Sequence, residues 1–388
     1  MLRLVKKASV FKKRVLLRVD FNIPLSDSGE LADTFRIKAV LPTLLFLKSH
    51  KAKIIIATHL GEPDKPASSL STKHLVGVIR EVCGLKVKWF GGFNFDSLSK
   101  SVNKLEPGEI ALLENLRFNS GEISNSKKFA KGLASLADVY VNDAFGTMHR
   151  YHASIVGVPL FLPSYCGFLV KKELGALEKI VYNPARPFTV IMAGGKLSTK
   201  ARLLKPLFGK ANSLVVGGIL GNNFLKVHGF KVGRSIIEPS VIRWMKKVKF
   251  PAKKIFLPKD FIVARAIRAN VKTRIVSLGE PILAKEYILD IGPKTIDYFA
   301  SVIKFSKTIL WNGPVGYYEL RPFRRGTIEL ARRVAKAKAH SVIGGGDIIG
   351  ALNELDLLKK MSHISSGGGA MLEFVAYKNL PGLKILGY

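Results

Sequence analysis

The feature that most constrains this chain is a series of short apolar runs that recur along its whole length. Most of them are rich in β-branched residues, lead directly into a glycine, asparagine, aspartate or histidine, and precede a helix-like pattern. Continuous apolar strands separated by helices are typical of parallel sheets that are covered on both faces. The sequence therefore predicts an α/β protein. The runs are Arg14–Phe21, Ile54–Thr58, Ile110–Glu114, Val139–Asp143, Phe188–Ala193, Leu214–Gly217, Ile255–Pro258, Ile275–Leu278, Thr308–Trp311 and Ser341–Ile343.

These runs are more strands than one ordinary open sheet contains, and 388 residues are enough for two or three domains. A division is indicated by the proline-rich segment Pro159–Pro163, which precedes a helical pattern over Phe168–Ile180 and then the segment Asn183–Pro187. We interpret the helix as a connector, with a hinge, between two Rossmann-like domains that contain parallel sheets.

Polar side chains follow the strands of the first half of the chain. Ligands of open parallel sheets bind beyond the carboxyl ends of the strands, so these residues are candidates for a site. Arginines bind phosphate and carboxylate with two parallel hydrogen bonds, and several arginines with a histidine would form a pocket for a small, multiply charged anion. Each residue taken alone could equally be a surface charge or a loop hydrogen-bonder. The candidates are Asp20, Phe21, Asn22, Arg36, His59, Leu60, Gly61, Arg117 and Arg150.

The strand ends of the second half are rich in glycine. Glycine lets backbone amides approach a phosphate closely, and a helix that begins directly afterwards adds a favourable dipole. Tight turns and helix packing are the alternative reason for such glycines, but so many loops favour a nucleotide polyphosphate. No loop matches GxxxxGK[ST], and no GxGxxG follows a strand with the expected acidic residue, so the sequence indicates neither a Walker ATPase nor a dinucleotide enzyme. The loops are Gly194–Lys200, Gly217–Gly221, Asn312–Gly316, Gly344–Asp347 and Ser365–Gly369.

Two residues of these loops could take part in phosphoryl transfer. Lys200, one helical turn after Lys196, could reach a transferring phosphoryl group, and Asp347 is placed to hold a magnesium ion. Their alternative roles are a solvated helix charge and a helix N-cap. An anion pocket on one domain and a polyphosphate pocket on the other indicate a two-substrate phosphotransferase. We expect its domains to close, because in-line transfer needs reactants within about 3–3.5 Å and excluded water.

Several segments carry a resemblance to a known family, in the same order and over essentially the whole chain. They are Arg18–Pro24, Leu41–Thr43, His59–Gly61, Leu113–Phe118, Asn142–Thr147, Asp290–Thr295, Trp311–Pro314 and His363–Gly369. The chain resembles the phosphoglycerate kinases. The resemblance implies reversible phosphoryl transfer between ATP and the carboxylate of 3-phosphoglycerate, which gives ADP and 1,3-bisphosphoglycerate in glycolysis and gluconeogenesis.

The resemblance also implies an organisation of the chain. Residues 1–166 would form the 3-phosphoglycerate domain, with the tail 373–388 packed back on it, and residues 167–372 would form the nucleotide domain that includes the connector helix. We expect a cytoplasmic monomer that uses Mg²⁺ with ATP or ADP.

Individual roles follow from the same resemblance. The phosphoglycerate would be bound by Asp20, Phe21, Asn22, Arg36, His59, Leu60, Gly61, Glu62, Arg117 and Arg150. The catalytic cations would be Arg36, Lys196 and Lys200. The nucleotide would be held by Lys200, Asn312, Pro314, Glu319, Gly344, Gly345, Gly346, Asp347, Ile348, Ser366 and Gly367, with Asp347 on the magnesium ion.

Three positions depart from the family pattern. Glu62 stands where an arginine usually helps to bind the substrate phosphate, so Glu62 either points away or reduces the affinity for substrate. Ile348 replaces a hydroxyl residue after the triple glycine and leaves only a backbone amide there. Ile288 replaces a glycine, which brings a side chain close to the expected position of the base. These positions leave open a homologue that has lost activity, although the main cations and Asp347 are retained.

The charge of the chain raises a different class of function. Sixty-two Lys and Arg against 28 Asp and Glu give +34, a balance that is typical of a polyanion partner. Residues 166–388 hold 38 basic and 14 acidic side chains. Clusters such as Arg243–Lys249 and Arg321–Arg325 are short and are interpreted as solvated helix faces. We expect no specific nucleic-acid partner, while non-specific polyanion binding stays open and most of the charge is unexplained.

The cellular setting is inferred from the cysteines and from hydropathy. Cys83 and Cys166 lie far apart without a CxxC motif, which favours a reducing cytoplasm over a disulfide framework or a zinc site. The longest uncharged stretch, Ala153–Val170, contains Pro159 and Pro163 and is too interrupted for a membrane span. We therefore expect no membrane partner.

Overall fold

The computed structural model of the chain describes residues 2–23, 34–195, 197–248 and 251–388. The chain divides into two compact units. Unit 1 comprises residues 1–175 together with 379–388, and unit 2 comprises residues 176–378. The boundary thus lies inside the helix that follows Gly167, whereas the sequence interpretation placed it in front of that helix.

Unit 1 is built on a six-stranded parallel sheet with the order β3-β4-β2-β1-β5-β6. Its strands are β1 (Arg14–Arg18), β2 (Lys53–Ala57), β3 (Lys88–Phe90), β4 (Ile110–Leu113), β5 (Val139–Asn142) and β6 (Ser164–Cys166). The chain first adds strands on one side of β1 and then crosses to β5. The switch in direction between β1 and β5 opens a crevice beyond their carboxyl ends, which is where ligands bind in such sheets.

Helices cover both faces of this sheet. Successive side chains of a strand point to opposite faces, so Leu16 and Leu17 of β1 pack into two different apolar clusters, and both are fully buried. Burial on both faces explains why these strands are continuous apolar runs in the sequence. The helices are α1 (Lys7–Val10), α2 (Phe35–Ser49), α3 (Leu75–Cys83), α4 (Phe95–Asn103), α5 (Ser120–Ile123), α6 (Lys127–Ser135) and α7 (Phe168–Tyr182), which continues into unit 2.

The start of α7 is anchored in unit 1, and the helix itself agrees with the predicted connector. The backbone amide of Phe168 donates to Thr43 Oγ1 (3.0 Å), and that of Val170 donates to Asp143 Oδ1 (3.0 Å). Thr43 Oγ1 in turn donates to Asp143 Oδ2 (2.6 Å). Burial raises the pKa of Asp143 to about 7, although the hydrogen bonds from Thr43 and Val170 act to lower it. Two amides of the first helical turn are therefore satisfied by buried side chains.

Unit 2 contains a second six-stranded parallel sheet, with the order β15-β14-β13-β7-β8-β9. Strands β7 and β13 flank the switch in direction, and Asn312 at the end of β13 is in register with Met192 at the end of β7. The two parallel sheets confirm the predicted fold class. The strands of this unit are β7 (Phe188–Met192), β8 (Ser213–Val216), β9 (Ile255–Phe256), β10 (Asp260–Ala264), β11 (Thr273–Ser277), β12 (Tyr287–Ile291), β13 (Thr308–Asn312), β14 (His340–Gly344) and β15 (His363–Ser365).

Unit 2 also contains a three-stranded antiparallel sheet, with the order β11-β10-β12, that the sequence analysis did not predict. The run Ile275–Leu278 was expected to contribute to a parallel sheet, and this was wrong, because β11 pairs antiparallel with β10. Strand β11 is exposed over most of its length, so it lacks the two-sided burial that identifies a parallel strand. Beneath this sheet lies a separate apolar cluster that includes Phe261, Val263 and Val276.

The remaining helices are α8 (Leu197–Lys210), α9 (Gly218–Val227), α10 (Pro239–Lys247), α11 (Pro293–Phe305), α12 (Arg325–Lys336), α13 (Gly346–Glu354), α14 (Gly368–Tyr377) and α15 (Pro381–Lys384). Helix α15 belongs to unit 1, where the amide of Gly382 donates to the carbonyl of Met148 (2.9 Å). Within the described ranges, no helix is long and apolar enough to cross a membrane.

Candidate active site

In unit 1, three predicted site residues meet where β1 ends and α2 begins. Arg36, the second residue of α2, donates from Nη1 to Asp20 Oδ2 (3.0 Å) and to the carbonyl of Asn22 (3.0 Å). Asp20 Oδ1 also accepts the amide of Asn22 (3.2 Å). The Asp20 side chain is 8% exposed and the Arg36 side chain 26% exposed. The ion pair therefore fixes the guanidinium at the mouth of the crevice without removing it from solvent.

Gly61 joins this corner to the loops that follow β2 and β4. Its amide donates to Asn22 Oδ1 (2.8 Å), and its carbonyl accepts from Arg117 Nη1 (2.5 Å). The residue has a φ of +61°, and an added Cβ would lie 2.9 Å from Leu70 Cδ2, so glycine suits this position on both grounds. One residue thus links three strand ends.

Arg117 is the more deeply buried of the two arginines that contact this corner, Arg36 and Arg117. It lies in the 3₁₀ turn Leu116–Phe118, and its side chain is 8% exposed. Burial lowers its pKa, Glu62 opposes this effect, and the charges of Arg18 and Arg150 add to it. Its Nε is buried and has no hydrogen-bond partner among the described residues. A buried guanidinium nitrogen without an acceptor, on a side chain surrounded by other cations, favours an anionic ligand.

Glu62 is turned towards Arg117 rather than away from it. The distance from Glu62 Oε1 to Arg117 Nη1 is 3.6 Å, and the Glu62 side chain is 81% exposed. Of the two possibilities that the sequence left open, the structure shows a carboxylate beside the arginine that is expected to bind the substrate.

His59 and Arg150 complete the charged set of unit 1. His59 is 3% exposed, and burial together with the charges of Arg18, Arg117 and Arg36 lowers its pKa well below the usual value. Arg150 is exposed, and its charge contributes to the lowered pKa values of Arg117 and His152. Because its pKa is lowered in this way, the ring of His59 is neutral at neutral pH.

Two predicted binding residues, Phe21 and Leu60, have buried side chains that cannot reach a ligand in the crevice. Phe21 and Leu60 are 0% and 1% exposed, and their side chains belong to the apolar core. The Phe21 amide donates to Thr58 Oγ1 (3.0 Å) and the Leu60 amide to Asn115 Oδ1 (3.2 Å), so both amides are engaged inside the protein.

Arg18, the last residue of β1, was not predicted as a site residue. It is 1% exposed, and its Nη2 lies 3.4 Å from His59 Nδ1. An arginine inside a strand is an unusual choice for a buried position, since buried charges need partners. The sequence signal that could have identified Arg18 is an arginine placed within an otherwise apolar run.

In unit 2, three glycine loops approach one another at the carboxyl ends of β7, β8 and β13. Gly313 has a φ of +85°, and an added Cβ would lie 2.5 Å from the carbonyl oxygen of Ala193. Gly218 has a φ of +56°, and its Cβ would lie 2.8 Å from the amide nitrogen of Gly194. Only glycine allows this approach, so the loops meet through their backbone at the switch point.

The loop after β14 is held against the end of β13. Asn312 is 4% exposed and donates from Nδ2 to the carbonyl of Gly344 (2.5 Å). Gly345 has a φ of +120° and caps α13, and a Cβ on Gly368 would lie 3.3 Å from Gly345 Cα. The loops that end β14 and β15 are therefore in contact.

Helix α13 begins at Gly346, where an added Cβ would have no atom within 4 Å. Asp347 lies in its first turn and is exposed, whereas the Ile348 side chain is fully buried in the core of unit 2. The first amides of a helix have no partner inside it, so the α13 amino terminus can donate to phosphate oxygens. The replacement of a hydroxyl residue by Ile348 therefore adds core packing and keeps the backbone of this turn.

Apart from Glu319, the other predicted nucleotide residues that the structure describes lie at the carboxyl ends of the strands. Lys200, in α8, donates from Nζ to the carbonyl of Ala193 (2.9 Å) at the end of β7. Lys196 lies outside the described residues. Pro314 is buried beside the Gly194 turn and Glu319 is exposed, while Ser366 and Gly367 are buried immediately before α14.

A buried carboxylate supports this part of unit 2. Asp290, in β12, accepts the amides of Ile291 and Gly326 (both 2.8 Å), and an added Cβ on Gly316 would lie 2.2 Å from its Oδ1. Burial raises the pKa of Asp290 to about 7. Ile288 packs against the apolar cluster of the antiparallel sheet. The sequence motif around Asp290 thus contributes a support for the loops rather than a group of the glycine-rich edge.

The comparisons with known proteins agree on one family. The phosphoglycerate kinase family model matches residues 5–378. A phosphoglycerate kinase of Leptospira biflexa is 43% identical over 391 residues, covering 99% of this chain and 98% of that protein. One of Pseudothermotoga lettingae is 40% identical over 385 residues, covering 98% of this chain and 97% of that protein.

Solved structures give the same result. The structure of phosphoglycerate kinase from Coxiella burnetii aligns with a TM-score of 0.78 at 36% identity and covers 97% of each chain. The one from Pyrococcus horikoshii aligns with a TM-score of 0.88 at 31% identity and covers 100% of this chain and 98% of that chain. The chain belongs to the phosphoglycerate kinase family.

Proposed function

We propose that this chain transfers the γ-phosphoryl group of ATP reversibly to the carboxylate of 3-phosphoglycerate, as the phosphotransferase of glycolysis and gluconeogenesis. The observation that carries the proposal is the cation cluster of unit 1. Arg36 and Arg117 are tied through Asn22 and Gly61 to one corner of the sheet, and the buried Nε of Arg117 has no hydrogen-bond partner among the described residues. A small acceptor with one phosphate and one carboxylate matches such a cluster.

Unit 1 would bind the acceptor, and its residues would divide the work. Arg117, Arg150 and His59 would neutralise the anionic groups, while Asp20 and Asn22 would hold Arg36 in place and bond the hydroxyl of the substrate. Phe21, Leu60 and Gly61 would shape the wall with their backbone. Glu62 would lie beside the phosphate position and weaken binding there, since like charges repel.

Unit 2 would bind the nucleotide through the glycine loops. The amides of Gly344, Gly345 and Gly346 and the first turn of α13 would hold the phosphates, and Asn312 would keep this loop against β13. Glu319 would bind the ribose from its exposed position, and Pro314, Ser366 and Gly367 would line the edge. Ile348 would contribute its backbone alone.

Asp347 would hold Mg²⁺. Magnesium in nucleotide sites takes one or two carboxylates and completes its coordination with phosphate oxygens and water, and an exposed carboxylate next to the phosphate loop is such a donor. In the part of the chain that the structure describes, no group of three His, Cys, Asp or Glu side chains is arranged to hold a metal ion. When bound, the ion would neutralise charge on the phosphate oxygens.

The chemical step needs cations more than covalent help. Phosphoryl transfer spreads negative charge over the equatorial oxygens of the moving group, and positioned cations stabilise that charge. Arg36 from unit 1 and Lys200 and Lys196 from unit 2 would supply them. Because donor and acceptor oxygens must be in line, we propose that the units close through the hinge when both substrates are bound, which also excludes water.

The remaining assignments are proposals of the same kind. We expect a monomer in a reducing cytoplasm, with the functional domains 1–166 and 167–372 and the tail 373–388 returning to the first. The contact of Gly382 with Met148 supports a returning tail, beginning at residue 379.

The function is tested by turnover of the purified chain. ATP, Mg²⁺ and 3-phosphoglycerate are supplied, and the acyl phosphate formed is consumed by glyceraldehyde-3-phosphate dehydrogenase with oxidation of NADH. We expect turnover with 3-phosphoglycerate and at least tenfold less with glycerate, which lacks the phosphate that the arginines bind. Folded protein that shows no turnover with any of these acceptors contradicts the proposal.

A further inference from the structure

A buried chain of hydrogen bonds lies behind the cations of unit 1 and is not part of the mechanism described above. Arg18 is 1% exposed, and its Nε donates to Ser154 Oγ (2.9 Å). Ser154 Oγ donates to Glu122 Oε1 (2.5 Å), and the Ser154 amide donates to Glu122 Oε2 (2.9 Å). Glu122 is itself fully buried. These contacts hold the guanidinium of Arg18 from one side.

The other side of the same guanidinium faces His59. Arg18 Nη1 donates to the carbonyl of Val19, and Arg18 Nη2 lies 3.4 Å from His59 Nδ1. A guanidinium has only donors, so the histidine nitrogen that faces it must be the acceptor. A neutral imidazole carries one proton, and the partner of one nitrogen determines where that proton lies. The proton of His59 is then on Nε2, at the opposite edge of the ring.

The electrostatics of the surroundings keep the ring neutral. Burial is the main cause of the lowered pKa of His59, and the charges of Arg18, Arg117, Arg36 and His152 add to it. The ring therefore has a single N–H at neutral pH. An N–H aimed at an anion attracts it, whereas the lone pair of the other tautomer would repel it.

We propose that Arg18 is a positioning residue, which with Ser154 and Glu122 fixes His59 as the Nε2–H tautomer and so adds a neutral hydrogen-bond donor to the cation cluster of unit 1. The inference rests on the proposed function only for the identity of the anion. The tautomer itself is a property of the protein without substrate, so it can be measured separately from turnover.

The direct test is a two-bond ¹H–¹⁵N correlation spectrum of the histidine-labelled protein at pH 7.5, which distinguishes a protonated from an unprotonated ring nitrogen. A His59→Gln variant assigns the signals. We expect Nε2 of His59 to be protonated and Nδ1 to be unprotonated. A ring that is protonated on Nδ1, or that averages between the two forms, overturns the proposal.

A matched pair of variants tests the role of Arg18. Arg18→Met removes the donor to Nδ1, while Arg14→Met removes an arginine from the same strand that pairs with Asp138 instead. In Arg18→Met, we expect the pKa of His59 to rise and the single-tautomer signal to be lost. In Arg14→Met, both should stay as in the wild type. If Arg18→Met does not fold, Ser154→Ala replaces it, because that variant frees Arg18 Nε and should loosen the same contact. An unchanged His59 signal in the folded variant overturns the proposal.

Binding supplies the last readout. We expect Arg18→Met to bind 3-phosphoglycerate about tenfold more weakly, the loss typical of one hydrogen bond to a charged group, with ATP binding unchanged. Inorganic phosphate serves as a second probe that does not assume the substrate. Turnover with the wrong tautomer refutes this inference alone, and the expected tautomer without turnover refutes the proposed function alone.

Discussion

Neutralising Glu62 is expected to tighten binding of the acceptor substrate. The carboxylate lies 3.6 Å from Arg117 Nη1 and is 81% exposed. At that distance, an ion pair in water is worth about 1 kcal/mol, and exposed pairs measure about 0.2–1 kcal/mol. A phosphate that binds to Arg117 must displace this pair and then remain beside the displaced carboxylate.

The variant is Glu62→Gln, and the assay is the coupled turnover at varied 3-phosphoglycerate and saturating ATP. One kcal/mol corresponds to about a fivefold change in affinity, so we expect KM for 3-phosphoglycerate to fall about twofold to fivefold. The value of kcat and the KM for ATP should stay within about twofold, because the pair lies on the binding surface of unit 1. The effect should shrink as salt is added, since exposed charges are screened.

The matched control is Asp64→Asn, which removes the same charge from an exposed position two residues further along the loop. If the effect comes from the contact with Arg117, this control changes KM by less than half as much. Equal effects of the two variants would show that net charge alone is responsible. An increase of KM in Glu62→Gln would refute the reasoning, because Glu62 would then assist binding.

The remaining predictions concern catalysis, a glycine contact and pH. Arg36→Ala and Lys200→Ala are each expected to lower kcat about ten- to a thousandfold, as one lost transition-state charge contact does, and near-normal kcat would remove that residue from the mechanism. Gly313→Ala should lower the free energy of unfolding of unit 2 by about 1–3 kcal/mol in denaturant titrations, because its Cβ would meet the carbonyl of Ala193, whereas Gly350→Ala, in open space inside α13, should raise it by about 0.5–1 kcal/mol. Asp290 has a pKa raised to about 7, so the native state binds a proton that the unfolded state has released. Its stabilising contribution is therefore full below about pH 4 and is lost as the pH rises to about 7. Asp290→Asn should flatten this part of the stability profile, and an unchanged slope between pH 5 and 7 would contradict it.

The parallel sheets were predictable because their strands are buried on both faces. Strands such as β1, β2, β7 and β13 each contain at least three consecutive buried apolar residues, a pattern typical of strands covered on both faces. Strands of three residues, such as β3, β6 and β15, carry too few positions to show a pattern. The antiparallel sheet was missed because β11 is largely exposed, so its side chains follow no two-sided rule.

The candidate site was predictable to the extent that it follows strand ends. Asp20, Asn22 and Gly61 lie in the loops that follow β1 and β2, and the topology brings those strand ends to one edge. The contacts of Arg18 were not predictable, because Ser154 is 136 residues away along the chain and only the packed fold brings the two together. The direction of Glu62 likewise depends on side-chain geometry that no local pattern encodes.

The central claim is that unit 1 binds the acceptor and unit 2 binds the nucleotide. Calorimetric titrations of single ligands test it most directly, with Arg117→Ala as the variant of unit 1 and Asp347→Asn as the variant of unit 2. We predict that Arg117→Ala weakens 3-phosphoglycerate binding about ten- to a hundredfold and leaves MgATP binding within about twofold, while Asp347→Asn weakens MgATP binding alone. If either variant weakens both ligands equally, or if Arg117→Ala leaves 3-phosphoglycerate binding intact, the assignment of the two sites is wrong.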